Sequence, residues 1–276
     1  MITALTQLAA ESLGLNLADV QLEWGDTRLP YGGMTVGSMS TLTSGASILE
    51  AAQNVKKALI KRAVKDKASS LYNQSHKELT VINGRIVGPD NRSESVADVM
   101  GRQPGKPIQE EAITGRTMGH SSYGRASFGA EFAKISIDPD TMHIQVERLV
   151  GAFAGGRIIN PLLVRSQLMG AMVWGLGQAL LEETLMDPRT GHWVNNSLGE
   201  ALIPTNADVA DIEIILLEED DTRGHPLGVK GLGELGIVGV SAAIGNAIYH
   251  ATGQRLTSLP MRLDKLLAAK SLSNRA

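Results

Sequence analysis

One stretch constrains this chain more than any other: residues 228–267, GVKGLGELGIVGVSAAIGNAIYHATGQRLTSLPMRLDKLL. It opens with a glycine-dense loop that carries a single carboxylate, Glu234. Apolar residues then recur at Ile237, Val240, Ala243, Ile244, Ala247, Ile248 and Ala251, the spacing of an amphipathic helix with one broad apolar face. Gly253 is placed to close that helix in the left-handed conformation. Glu234 is therefore expected just ahead of a helix N-terminus, where the backbone dipole favours a negative charge. A lone carboxylate on tight, glycine-built backbone is suited to work as a general base.

The same stretch also fits a different chemistry. Gly231-Leu232-Gly233-Glu234-Leu235-Gly236 matches G-x-G-x-x-G, and a helix follows it. A dinucleotide site needs a strand running straight into the first glycine and an acid about 20 positions later. Here the expected strand, residues 212–217, is separated from Gly231 by the polar segment 218–225, and the chain reads Thr252-Gly253-Gln254-Arg255 near the acidic position. A Rossmann-type nucleotide binder is kept as the third reading.

Residues 230–234 followed by an apolar helix resemble the C-terminal signature of the molybdenum hydroxylases, the xanthine dehydrogenase and aldehyde oxidase family, in their molybdopterin-binding large subunit. The tail with NAIYHATGQR and LPMRLDKLL is most similar to bacterial aldehyde oxidoreductases. The resemblance implies that Glu234 is the catalytic base, and that Lys230, Gly231 and Gly233 lie against the cofactor. It continues through most of the chain. Gly32-Gly33-Met34-Thr35-Val36-Gly37-Ser38-Met39-Ser40-Thr41 is a loop rich in glycine and hydroxyls. Such a loop can present N–H and O–H groups to an anion, or simply cap the helix expected over residues 44–65. The resemblance favours cofactor contact through Val36, Gly37, Ser38 and Ser40. It also singles out Gln167, in an S-Q-x-x-G context, which would otherwise be one amide among many.

The remaining elements follow from local pattern. Residues 3–14 read as a helix closed by Gly14, and Val20, Leu22 and Trp24 alternate as a short strand before the turn Gly25-Asp26-Thr27. Asn83-Gly84 marks a hairpin, and a short helix over 93–100 takes Ser93 or Ser95 as its cap. His76 and His120 are isolated and carry no expected role. Two strands flank Asp138-Pro139-Asp140-Thr141, whose acids suit a turn better than a calcium site. Pro161 starts a helix expected to reach residue 184, with Gly170, Ala171, Trp174, Gly177 and Gln178 on or near one face. Glu182 and Glu183, adjacent on a helix, do not face each other and read as structural or solvated. Residues 212–217 read as a largely buried strand. Within the family pattern, Met142 stands where glycine is usual, and Ala154 stands where an aspartate precedes the Gly156…Asn160-Pro161 turn.

The expected class is α+β: mixed sheets with packed helices, the C-terminal half of a molybdopterin-binding domain. Residues 1–66 would form its first part, 67–124 a hairpin, helix and connector insertion, and 125–276 its second part with the Glu234 loop and a C-terminal helix. A formal charge of -3 disfavours a nucleic-acid surface, and no apolar run long enough for a membrane span stands out. With no cysteine the chain holds no thiolate metal site and no iron–sulfur cluster, so redox work needs partner chains.

The resemblance accordingly implies a molybdopterin cofactor with molybdenum, in its cytosine dinucleotide form, with no metal ligand from protein side chains. Iron–sulfur clusters and FAD would reside on partner subunits. An upstream part of the molybdenum subunit is a further expected partner, because the Met-Gly-Gln-Gly loop that precedes this helix in the family is absent. The substrate would be an aldehyde or N-heteroaromatic compound, and the compartment cytoplasmic or periplasmic. The alternative is a catalytically silent fragment or assembly subunit that needs another chain to complete its site.

Overall fold

The computed structural model describes residues 1–113, 124–209 and 211–273. The chain divides into two compact units, Met1–Gly124 with Asp221–Val229, and Arg125–Asp220 with Lys230–Ala276. The class is α+β, with one three-stranded antiparallel sheet and one three-stranded mixed sheet.

In the first unit, α1 (Ile2–Leu13) ends on Gly14 at φ 73°. The close is forced twice over: the conformation is left-handed, and a Cβ there would lie 2.1 Å from the Val81 carbonyl oxygen. α2 spans Ser40–Lys65, and its Leu59, Ile60 and Ala63 pack with Leu71, Val81, Ile86 and Val99 in a small core. The strand expected at Val20–Trp24 is absent. That stretch follows a 3-10 turn, forms no strand ladder among the described residues, and leaves Trp24 exposed. Alternation without a partner edge does not make a strand. The hairpin is β1 (Thr80–Ile82) and β2 (Arg85–Val87), with Asn83 and Gly84 both at positive φ. Residues 93–95, expected as helix, instead form β3 (Ser93–Ser95) on β2. The helix α3 is left with Val96–Gly101, its Ser95 cap accepting the Asp98 N–H at 3.0 Å. His120 lies outside the described residues, and His76 is exposed.

In the second unit, β4 (Phe128–Ile137) runs antiparallel to β5 (Ile144–Ala154), and β6 (Asp211–Leu216) runs parallel to β5. Asp138 Oδ1 accepts from the Asp140 and Thr141 N–H groups and the Thr141 hydroxyl, so the acid serves the β4–β5 turn. Met142, in the glycine-like position, takes φ 58°. The crossover from β5 to β6 contains α4 (Pro161–Leu180), started by Pro161 and by Asn160, whose Oδ1 accepts the Leu163 N–H at 2.9 Å. α4 stops short of residue 184 because the Leu181 and Glu182 N–H groups both turn back to the Gly177 carbonyl. Glu183 is then free to pair with Arg262 at 2.6 Å, a structural use.

α5 (Val240–Thr252) and α6 (Leu263–Ser273) follow, with Gly253 at φ 72° closing α5. Val240, Ile244 and Ile248 join Phe153, Leu168 and Met172 in the core. Contrary to the expectation above, Leu235–Thr252 is long and apolar enough to cross a membrane by length and composition. Here it is a 3-10 turn followed by α5, whose apolar face is used in this core. β6 is less buried than its composition suggests. Only Ile214 is inside, because β6 is an edge strand with one face and one side uncovered.

Candidate functional site

The glycine loop of the second unit is held from several directions. Lys230, its side chain only 7% exposed, pairs with Glu219. The other carboxylate oxygen of Glu219 accepts the Gly156 N–H at 3.0 Å, and the Lys230 N–H donates to the Gly155 carbonyl at 3.1 Å. Glu219 therefore fastens the end of the loop to the turn after β5. Leu232 covers Gly155 so closely that a Cβ there would lie 2.5 Å from it. The Ser127 hydroxyl donates to the Gly231 carbonyl at 2.5 Å. On the α4 side, Gln167 Nε2 donates to the Gly233 carbonyl at 2.6 Å, and Gly236 sits against Leu168, where a Cβ would lie 2.8 Å from its carbonyl oxygen.

Gln167 and Glu234, 67 positions apart in sequence, thus meet through one peptide, since Gly233 is the residue directly before Glu234. Glu234 itself is exposed and makes no side-chain bond to the turn it begins. It caps a 3-10 turn, Leu235–Ile237, and α5 starts only at Val240. The expected stabilisation of its charge by the helix dipole therefore does not apply, because that effect fades within the first turn of a helix. The backbone beneath it is held by the Gln167 bond and the packing of Gly236, while the carboxylate reaches solvent. That combination suits proton transfer.

The face expected on α4 is used differently along its length. Gly175 and Gly177 are close-packed, against Val240 and against Glu182 with Pro204. A Cβ at Gly170 would meet nothing within 4 Å. Gln178 accepts from the Ser241 hydroxyl at 3.1 Å. The dinucleotide reading fails on geometry: β6 ends at Leu216, and no strand runs into Gly231.

The loop at residues 32–40 belongs to the first unit. A turn joins Val36 to Met39, with the Met39 N–H donating to the Val36 carbonyl at 3.1 Å and Gly37 and Ser38 both left-handed. The Ser44 hydroxyl donates to the Gly32 carbonyl at 2.7 Å. α2 begins at Ser40, one turn earlier than expected, and without a side-chain cap. The loop does not serve as that helix's cap. A Cβ at Gly32 would meet nothing within 4 Å, and one at Gly37 only Met39, at 3.8 Å or more. An exposed glycine loop with open space beside Gly32 can present main-chain N–H groups to an anion such as a phosphate.

His225, which the sequence does not mark, is buried against α2 in this unit. Its Nδ1 accepts the Leu227 N–H, so Nε2 carries the proton toward the Leu42 carbonyl at 2.9 Å.

A family model described as the molybdopterin cofactor-binding domain matches residues 1–210. The chain belongs to this family. Among its relatives is the molybdenum-binding subunit PaoC of an aldehyde oxidoreductase from Escherichia coli K12, 34% identical over 96% of this chain and 34% of the relative. Another is the large subunit of nicotine 6-hydroxylase from Paenarthrobacter nicotinovorans, 28% identical over 97% of this chain and 33% of the relative. The chain thus spans about a third of these relatives' length. The crystal structure of quinoline 2-oxidoreductase from Pseudomonas putida 86 superposes with a TM-score of 0.81 at 27% identity, over 96% of this chain and 34% of that one. As a molybdopterin cofactor-binding chain of the molybdenum hydroxylase family, it has the fold that the resemblance implies. Among the described residues, no group of three or more His, Asp or Glu is placed to hold a metal ion.

Proposed function

We propose that this chain is part of the molybdenum-binding subunit of an enzyme that hydroxylates aldehydes or N-heteroaromatic carbons, with Glu234 as its general base. The observation that carries the reading is the Gln167–Gly233 bond directly behind an exposed Glu234. The relatives named for aldehyde, nicotine and quinoline chemistry support the substrate class.

In the second unit Gln167, Lys230, Gly231 and Gly233 are the residues offered for cofactor contact. In the first unit they are Val36, Gly37, Ser38 and Ser40. The donor set of amide, hydroxyl and main-chain N–H groups suits a pterin bearing phosphate, in the cytosine dinucleotide form, and the metal would enter with that pterin. When bound, the cofactor would supply the oxygen that is transferred and accept two electrons, which leave to iron–sulfur clusters and FAD on partner polypeptides. Glu234 would accept a proton at its exposed carboxylate and pass it on to solvent. Gln167 contributes by fixing the Gly233 peptide, and with it the direction of the carboxylate. A base on rigid backbone needs little reorganisation during turnover.

The test is Glu234→Gln in the complete enzyme, assembled with its partners. Molybdenum and pterin content should match the parent while turnover falls by about 10²–10⁴, the usual contribution of a positioned base. Near-normal turnover with full cofactor would remove Glu234 from the role.

A further inference from the structure

Beneath the turn that follows Glu234 lies a carboxyl group which the chemistry above does not use. Glu131 projects from β4 toward the start of α5, and a Cβ on Gly239 would lie 3.2 Å from its carboxyl carbon and from Oε2. Its Oε2 is buried and has no hydrogen-bond partner. Such an orphan oxygen is costly for a carboxylate and much less so for the neutral acid. β4 packs on α5 and on the Leu235–Ile237 turn, and within that packing the Glu131 side chain lies against Gly239, the residue directly before α5.

We propose that Glu131 is a positioning residue: by fixing the Gly239 end of the turn it fixes the other end, where Glu234 stands. The proposal rests on Glu234 being the base, as argued above. Burial pushes the Glu131 carboxyl up to about 7, and the Gly239 N–H, which favours the anion, only partly offsets this. No nearby charge takes part in the shift. Lys134 on β4 is engaged with Glu147 of β5, at 2.6 Å. The residue opposite Glu131 on β5 is Gly151, which has no side chain. From α5, His250 lines the same groove of about 480 Å³. The turn brings only Glu234 itself, which is exposed.

The sign follows from linkage. An acid whose folded value is raised from 4.5 to about 7 keeps its proton in the folded state where the unfolded chain has lost it. Stability is therefore highest at low pH, falls as pH rises through that interval, and levels off above it. Glu131→Gln, which resembles the neutral acid, has no such slope from this site.

The experiment has two arms. In the first, melting temperatures of the parent and Glu131→Gln are followed from pH 5 to pH 8.5. The parent should lose a few degrees relative to the variant as pH rises, whereas parallel curves would overturn the uncharged, buried state. This arm does not depend on any catalytic reading. In the second, the complete enzyme carrying Glu131→Ala should lose about tenfold in kcat with KM and cofactor content unchanged, and Glu131→Gln should restore most of it at pH 6. An unchanged kcat in Glu131→Ala, beside an inactive Glu234→Gln, would overturn the positioning role. If Glu234→Gln is itself active, the catalytic reading fails instead and the first arm still stands.

Discussion

The two glycine-rich loops of this chain have similar compositions and opposite mechanics. Residues 230–236 are held by an ion pair to Glu219, by hydrogen bonds from Ser127 and Gln167, and by contacts at Gly155 and Gly236 too tight for a methyl group. Residues 32–38 are held by the Val36–Met39 turn and the Ser44–Gly32 bond, with open space above Gly32. In the first loop glycine admits neighbouring side chains. In the second, a methyl group would meet nothing within 4 Å at Gly32, only Met39 at Gly37, and the Thr43 hydroxyl at 3.3 Å at Gly33. The proposed base would need the aimed backbone of the first loop, and the proposed anion site would need the space beside the second.

The contrast can be broken at specific residues. The largest effect is expected from Gly236→Val, which drives side-chain atoms into the Leu168 carbonyl and Ala171. A loss of about 3 kcal/mol in denaturant unfolding is expected, and full stability would mean that α4 does not press on the turn. Glu219→Gln should cost about 1–2 kcal/mol by the same measurement, since it removes the Glu219 charge that faces the nearly buried Lys230 ammonium. An unchanged unfolding curve would show the 230–236 loop to be no more firmly held than the other. Gly32→Ala should change stability by less than about 0.5 kcal/mol, because nothing is within reach of the new methyl group. A larger loss would mean that this loop is packed after all.

Much of this was legible beforehand, for reasons that differ by element. α1, α5, the Asn83-Gly84 hairpin and the Asp138 turn rest on local signals: periodicity, left-handed glycines and side-chain caps, each read within a few residues. The Val20–Trp24 strand was misread because a strand depends on a neighbouring edge, and the early end of α4 because periodicity does not show that the Leu181 and Glu182 N–H groups share the Gly177 carbonyl. Glu234 and Gln167 stood out through family likeness, and their meeting at Gly233 could not be read from a spacing of 67 residues. Glu219 is one of four consecutive acids, 218–221, and nothing in that run marks the member that turns inward. Glu131 was hidden for the same reason, as a charged residue in an alternating strand whose exposure depends on which face α5 covers.

The double grip of Glu219 has a consequence for how this part of the molecule opens. One carboxylate closes both the Gly156 amide and the Lys230 side chain, and the Lys230 amide returns to Gly155. Neither strand of that junction can detach while the other stays. Hydrogen exchange at the Gly156 and Lys230 amides should therefore proceed through one shared opening event, with matched protection, while the Met39 amide, closed only by its own four-residue turn, exchanges by independent local fluctuation.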